Sequence, residues 1–324
     1  ELSISGNALA SLPRSFGQLA QLKILDLSHN KLGELPESFG DLPELQRLNL
    51  SGNQLRRLCG SFGRLLALET LDLCFNPLEQ LPAGFGQLCA LRDLRAANCQ
   101  LSHLPMCIGG LTALTSLKLF GNAIAALAES MSQLLRLEHL ELGGNALDTF
   151  PDVIGQLSAL IALELRSNRL VTISESIGKN VKLQRLDLRT NQLNQLPFNV
   201  GQLTSLTSIN LCGNRLSVVP DSFGNLTALH TLNLSGNVLH CLPESFGRLI
   251  ALKYLDLMSN KLSAIEFDVE RLVLVQNMNL GDNKLDSLPV RIGALRALTH
   301  LDVHSNLLSS LPESFGQLTG LTVL

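Results

Sequence analysis

The chain has 324 residues, 45% of them apolar and 16% charged, with a formal net charge of −3. That balance offers no strong field for nucleic acid or an anionic membrane surface. The longest apolar run, Ala123 to Ala128, is far short of the ~20 residues a membrane span needs, and Glu1 to Ala20 lack the basic-then-apolar order of a signal peptide.

From the first residues onward one spacing rules the sequence. Asparagine stands at Asn7, Asn30, Asn53 and Asn76, then from Asn122 through Asn145, Asn168, Asn191, Asn214, Asn237, Asn260 and Asn283 to Asn306, at 23-residue steps. Cys99 fills the one missing step. Around each step the same frame returns, shown by Leu22, Leu25, Leu27, Asn30, Leu32, Leu35, Pro36, Phe39, Gly40 and Leu42. Leu25 and Leu27 alternate with period two, which predicts a short strand with both leucines inward and Ile24, Asp26 and Ser28 outward. The asparagine falls where the chain leaves the strand, and there its amide can satisfy otherwise buried backbone groups of its own and adjacent coils. Pro36 and its equivalents fix φ and remove a donor, favouring an irregular or short helical return path. The glycine column, beginning with Gly17 and Gly40, permits either a tight turn or close packing of coils.

Departures, in chain order, lie mainly on the return path. Cys59, Ala128, Ser174 and Glu266 stand in the proline column, Ser132 and Glu270 in the glycine column, and Asn180 in a leucine column. Ile265 to Leu272 lacks both proline and glycine and is expected to be distorted. Phe198 and Phe267 fall in one column of the return path, where an outward position is expected.

No repeat can bury its apolar side chains alone, so stability has to come from neighbour interfaces and a continuous backbone ladder. The expected architecture is α/β. It is a right-handed solenoid curved like a horseshoe, with a parallel sheet roughly 65 Å long on the concave face. Short helical or irregular segments form the convex face. Nothing in composition breaks the array, so residues 1–324 read as a single domain of about fourteen repeats. The chain starts and stops inside a repeat and is expected to be a fragment without its caps.

Three outward positions per strand make three lanes across the concave face. The middle lane is filled mostly by Asp and Asn; Arg95, Lys118, Glu141 and Glu164 interrupt it. Phe120, Arg166 and Arg189 stand in the third lane, His139 and Arg185 in the first, with Asp187 in the middle lane between the arginines. These ten side chains are expected to form a mixed-charge partner-binding patch, since arginine and aromatic residues dominate interface hot spots. The alternative is a solvated face of cross-strand ion pairs such as Glu164 with Arg185 or Asp187 with Arg166. Tyr254, Met258, His300 and His304 make a secondary patch.

Chemistry-bearing motifs are missing. There is no P-loop, HExxH, GxSxG or kinase motif, and carboxylates on an open sheet exclude no water. The chain is therefore read as non-catalytic, with no cofactor and no metal site. Its cysteines (Cys59, Cys74, Cys89, Cys99, Cys107, Cys212 and Cys241) are scattered without close pairs, as reduced intracellular thiols are.

The frame LxxLxLxxNxL matches the leucine-rich-repeat signature, in which cysteine replaces asparagine freely. Return paths such as Leu35-Pro36-Glu37-Ser38-Phe39-Gly40 and Leu311-Pro312-Glu313-Ser314-Phe315-Gly316 resemble the intracellular group of these repeats. That group comprises the Sur-eight-like and plant Ras-group proteins and the Scribble and Erbin scaffolds. The resemblance covers the whole chain. It implies a cytoplasmic scaffold that holds a signalling protein, such as a small GTPase or a phosphatase subunit, on its concave face. Two other readings stay open: a ligand-sensing receptor ectodomain, and the recognition arm of a larger kinase, GTPase or ubiquitin ligase.

Overall fold

The computed structural model describes residues 1–323. Among them, fourteen short parallel strands form one open sheet whose order follows the chain. A 3-10 helix follows every strand. Packing divides the chain into two units: Glu1–Leu147 with Gln156–Leu163, and Asp148–Gly155 with Glu164–Leu324.

The first unit carries β1 (Leu2–Ser3), β2 (Ile24–Asp26), β3 (Arg47–Asn49), β4 (Thr70–Asp72), β5 (Asp93–Arg95), β6 (Ser116–Lys118), β7 (His139–Glu141) and the first two residues of β8 (Ala162–Glu164). Leu25, Leu48, Leu71, Leu94, Leu117 and Leu140 pair in register, so identical side chains stack inward at the centre of every strand. The asparagine column does the backbone work foreseen for it. Asn53 Nδ2 donates to the Leu27 carbonyl at 3.0 Å and to the Leu50 carbonyl at 3.0 Å, while its Oδ1 accepts the Leu32 N–H at 3.0 Å. One side chain thereby ties two coils together where water cannot reach.

On the return path Phe16, Phe39, Phe62 and Phe85 stack nearly parallel, with centroids 5.9, 6.3 and 6.3 Å apart. Close coil packing, not a tight turn, is what the glycine column serves. A Cβ on Gly40 would lie 2.3 Å from the Ser61 carbonyl oxygen. The Glu37 carboxylate reaches into the next coil and accepts the N–H groups of Gly60 and Ser61 at 3.0 and 3.1 Å. Those two hydrogen bonds hold its pKa below the usual range.

The second unit holds the last residue of β8 and β9 (Arg185–Asp187), β10 (Ser208–Asn210), β11 (Thr231–Asn233), β12 (Tyr254–Asp256), β13 (Asn277–Asn279) and β14 (His300–Asp302). The same ladder recurs: Asn237 Nδ2 donates to the Leu211 and Leu234 carbonyls at 3.0 and 2.9 Å. Asn180 is tolerated in a leucine column because its Nδ2 donates to the Ile154 carbonyl at 3.0 Å.

The expected distortion lies at Ile265–Leu272. The 3-10 helix there shrinks to Val269–Arg271. Without the glycine–carbonyl contact the coil stands off: a Cβ on Gly247 would lie 3.2 Å from the Asp268 oxygen, against 2.3 Å from Gly224 to the Ser245 oxygen. Phe267 corrects the outward position expected for it. It is buried, and it packs on Phe246 at 5.4 Å with a 49° tilt. Phe198, in the same column, is 67% exposed as expected. The looser coil makes room that Phe267 fills, and the apolar space left beside it is too narrow for water.

Candidate partner-binding face

Most outward-lane residues are half-buried to exposed, with Ser28, Ala162 and Asp256 among the buried exceptions, and the middle lane has a backbone task. Asp26, Asn49 and Asp72 in the first unit accept the N–H two residues ahead through Oδ1 at 2.9, 3.0 and 2.9 Å. Asp187, Asn210, Asn233, Asp256, Asn279 and Asp302 do the same in the second unit. A short carboxylate or amide is therefore what the fold asks of this lane. Arg95, Lys118, Glu141 and Glu164 are the long charged residues that replace it.

In the first unit Arg95 grips Asp93 Oδ2 through Nε and Nη2 at 2.9 and 2.8 Å. The other Asp93 oxygen is buried without a hydrogen-bond partner. Lys118 Nζ meets Glu141 Oε1 across β6 and β7 at 2.9 Å. His139 is half-buried on the same strand as Glu141. Phe120 lies over glycine: a Cβ on Gly144 would come within 3.2 Å of its Cε2. In the same lane, two strands away, Cys74 is half-buried, and burial pushes its thiol up to about 12, which leaves it unreactive at neutral pH.

One residue of this face is not legible from lane positions. The residue before each asparagine or Cys99 has a positive φ; glycine serves at Gly6, Gly52 and Gly121, while Asn98 and His29 are polar substitutes. Phe75 occupies this column at φ 58° and is 62% exposed. A bulky residue in left-handed conformation costs energy and gains no burial in return. The sequence signal that could have found it is a large residue in a column otherwise filled by Gly, Asn, Asp, Ser, Thr and His.

On β8 and β9 two ion pairs run along single strands. Arg189 Nε meets Asp187 Oδ2 at 3.3 Å, and Arg166 Nε meets Glu164 Oε2 at 3.9 Å. Each joins side chains two residues apart, which leave the same sheet face. Arg185 is exposed, opposite Ser208 of β10. Of the ten residues in the principal patch, five belong to each unit.

The secondary patch becomes a hollow of about 610 Å³ lined by Tyr254, Asn277, Asn279, His300, Asp302 and His304, among others. Met258, expected with them, is not in its lining. The His304 ring sits flat against Gly281, where a Cβ would come within 2.5 Å. Its Nδ1 lies 2.6 Å from Asp302 Oδ1 and its Nε2 lies 3.7 Å from Asp282 Oδ1. The Asp302 hydrogen bond and charge, then Asp282, raise the His304 pKa above its ordinary value. His304 in turn lowers that of Asp302. Tyr254 donates to Asp256 Oδ2 at 3.4 Å. Burial and that carboxylate raise the phenol's pKa.

Residues 1–55, 136–193 and 204–262 match a family model described as "Leucine rich repeat", and residues 67–88 and 297–318 match a second of the same description. The chain belongs to the leucine-rich-repeat family. Its fold is shared with a leucine-rich-repeat protein of Leptospira interrogans at 32% identity and a TM-score of 0.90, covering 100% of this chain and 88% of that one. An internalin of Listeria monocytogenes matches at 21% identity and a TM-score of 0.80, over 96% of this chain and 88% of that one. A plant peptide hormone receptor in complex with RGF2 matches at 24% identity and 0.66, over 100% and 68%. Comparison with curated proteins returns no match. The leucine-rich-repeat fold suits protein–protein interaction, and among the described residues no helix is long and apolar enough to cross a membrane.

Proposed function

We propose that this leucine-rich-repeat chain is a non-catalytic scaffold that holds a signalling protein on its strand face, in the cytoplasm. One observation carries the reading. Middle-lane positions that the fold fills with short capping side chains are given over to Arg95, Lys118 and Glu141 on three successive strands. Long charged groups there do nothing for the backbone, so their use lies with a partner. The unpaired state of all seven cysteines supports a reducing compartment. The LPxxFG return paths, through their resemblance to the Ras-group and Scribble-like scaffolds, favour a small GTPase or a phosphatase subunit as partner.

The experiment compares proteins captured by the wild-type chain with those captured by an Arg166→Glu, Arg185→Glu, Arg189→Glu variant, read by mass spectrometry. Loss of the captured proteins at an unchanged melting temperature is expected. An unchanged list rejects the arginine patch as the binding surface.

A further inference from the structure

The strand face of the second unit changes sign along its length. At β8 and β9 it carries Arg166, Arg185 and Arg189 against Glu164 and Asp187. The Arg189–Asp187 ion pair there is long, at 3.3 Å, and Arg185 is exposed, so guanidinium charge is presented on β9. Across β10 and β11 the first two lanes turn neutral: Ser208 and Asn210 pair in register with Thr231 and Asn233. Each asparagine spends Oδ1 on its own backbone, which leaves Nδ2 as a donor towards solvent. At β12 to β14 no lysine or arginine stands in the outward lanes; Asp302 lines the hollow beside Tyr254, His300 and His304, and Asp282 lies just outside it, across the His304 ring.

We infer that this face binds an extended peptide segment of a partner, with an acidic group over Arg185 and Arg189 and a basic side chain in the hollow at Asp302 and Asp282. The inference rests on the strand face being the partner-binding surface. Dimensions select a peptide over a folded domain. Strands β9 to β14 are neighbours in unbroken register, so the two charged ends are about 24 Å apart at ~4.8 Å per strand. The lanes are about 13 Å wide, which gives roughly 300 Å² of polarised surface, against about 800 Å² per partner for a standard domain interface. About seven residues of extended chain, at ~3.4 Å each, span the same distance. Charge complementarity does most of the selecting, because the exposed large apolar groups at the hollow are Tyr254 and Val323 alone among the described residues.

The probe is a fluorescein-labelled synthetic peptide with paired glutamates at one end, paired arginines at the other and about six neutral residues between. Its control is an isomer of the same composition with the charges interleaved. Substitutions come from the fold's own columns, so folding is preserved: Arg185→Ser copies Ser208, Arg189→Ser copies Ser235, Asp302→Asn copies Asn279 and Asp282→Asn copies Asn98. Anisotropy at low salt should show the polarised peptide binding about tenfold tighter than the isomer. The paired arginine variant and the paired aspartate variant should each erase that preference while melting normally. Equal binding of the two peptides, or a preference that survives both variants, overturns the inference. If the triple arginine reversal still releases captured proteins, that outcome leaves the strand-face reading standing; if capture persists as well, the arginine patch falls with the inference.

Discussion

The Cys99 thiol donates to the Leu73 carbonyl at 3.1 Å, standing where neighbouring coils place an asparagine amide. It cannot supply the second half of that exchange. In adjacent coils an Oδ1 accepts the N–H of a core leucine in the preceding coil, as Asn76 does for Leu55. Leu78, the corresponding residue here, turns instead to the Asn76 carbonyl at 2.8 Å. Cys99→Asn should restore the regular acceptor and raise stability by about 1 kcal/mol, the net worth of one buried hydrogen bond. Thermal unfolding of the variant checks this; a lower midpoint would show that the site has relaxed around the smaller thiol.

Phe75 sets up the opposite trade. Its side chain is mostly exposed while its backbone is left-handed. Phe75→Gly should therefore stabilise the chain by about 1 kcal/mol through relief of that strain. If the ring serves a partner, the same variant captures fewer proteins although it melts higher. Unfolding and capture measured side by side read the two effects separately.

Two glycines make a matched pair for the convex side. Gly40→Ala drives a Cβ to 2.3 Å from the Ser61 carbonyl oxygen, whereas Gly33→Ala meets nothing within 4 Å. The first should cost about 1–3 kcal/mol, the price of overpacking, and the second should be near neutral. Equal melting of both variants would mean that the coils are free to separate.

His304 provides a pH test. Its raised pKa means that the folded chain binds the proton more tightly than the unfolded one. The pairing's contribution is fully present below histidine's ordinary value of about 6.5 and is lost as pH rises through the folded value. Asp302, with its lowered pKa, loses its contribution as pH falls through its own folded value. The pair is thus strongest in the mildly acidic window between the two. Proton NMR should place the His304 titration above the ordinary value, and Asp302→Asn should move it down. No movement in that variant would remove Asp302 as the cause.

The strands, the inward leucines and the asparagine ladder were readable because each depends on local geometry repeated at a constant step. Once Leu25 and Leu27 point inward, Asp26 has to point outward. Lane positions followed the same logic, which is why Arg95, Lys118 and Arg185 could be assigned to the sheet face without coordinates. Their partners could not. Whether Arg189 turns to Asp187 or to a neighbouring strand depends on side-chain torsions that the spacing leaves open.

The 23-residue period by itself determined the parallel sheet, the stacking register and which strand residues face away from the core, because backbone alternation leaves each strand position one orientation. Tertiary structure decided what happens where a column must choose. Phe198 and Phe267 share a column, yet one is exposed and the other is in the core; a Cβ on Gly247 would lie 3.2 Å from the Asp268 oxygen beside Phe267, against 2.9 Å from Gly178 to the Asn199 oxygen beside Phe198. Packing between coils set that space, and no single coil carries the information.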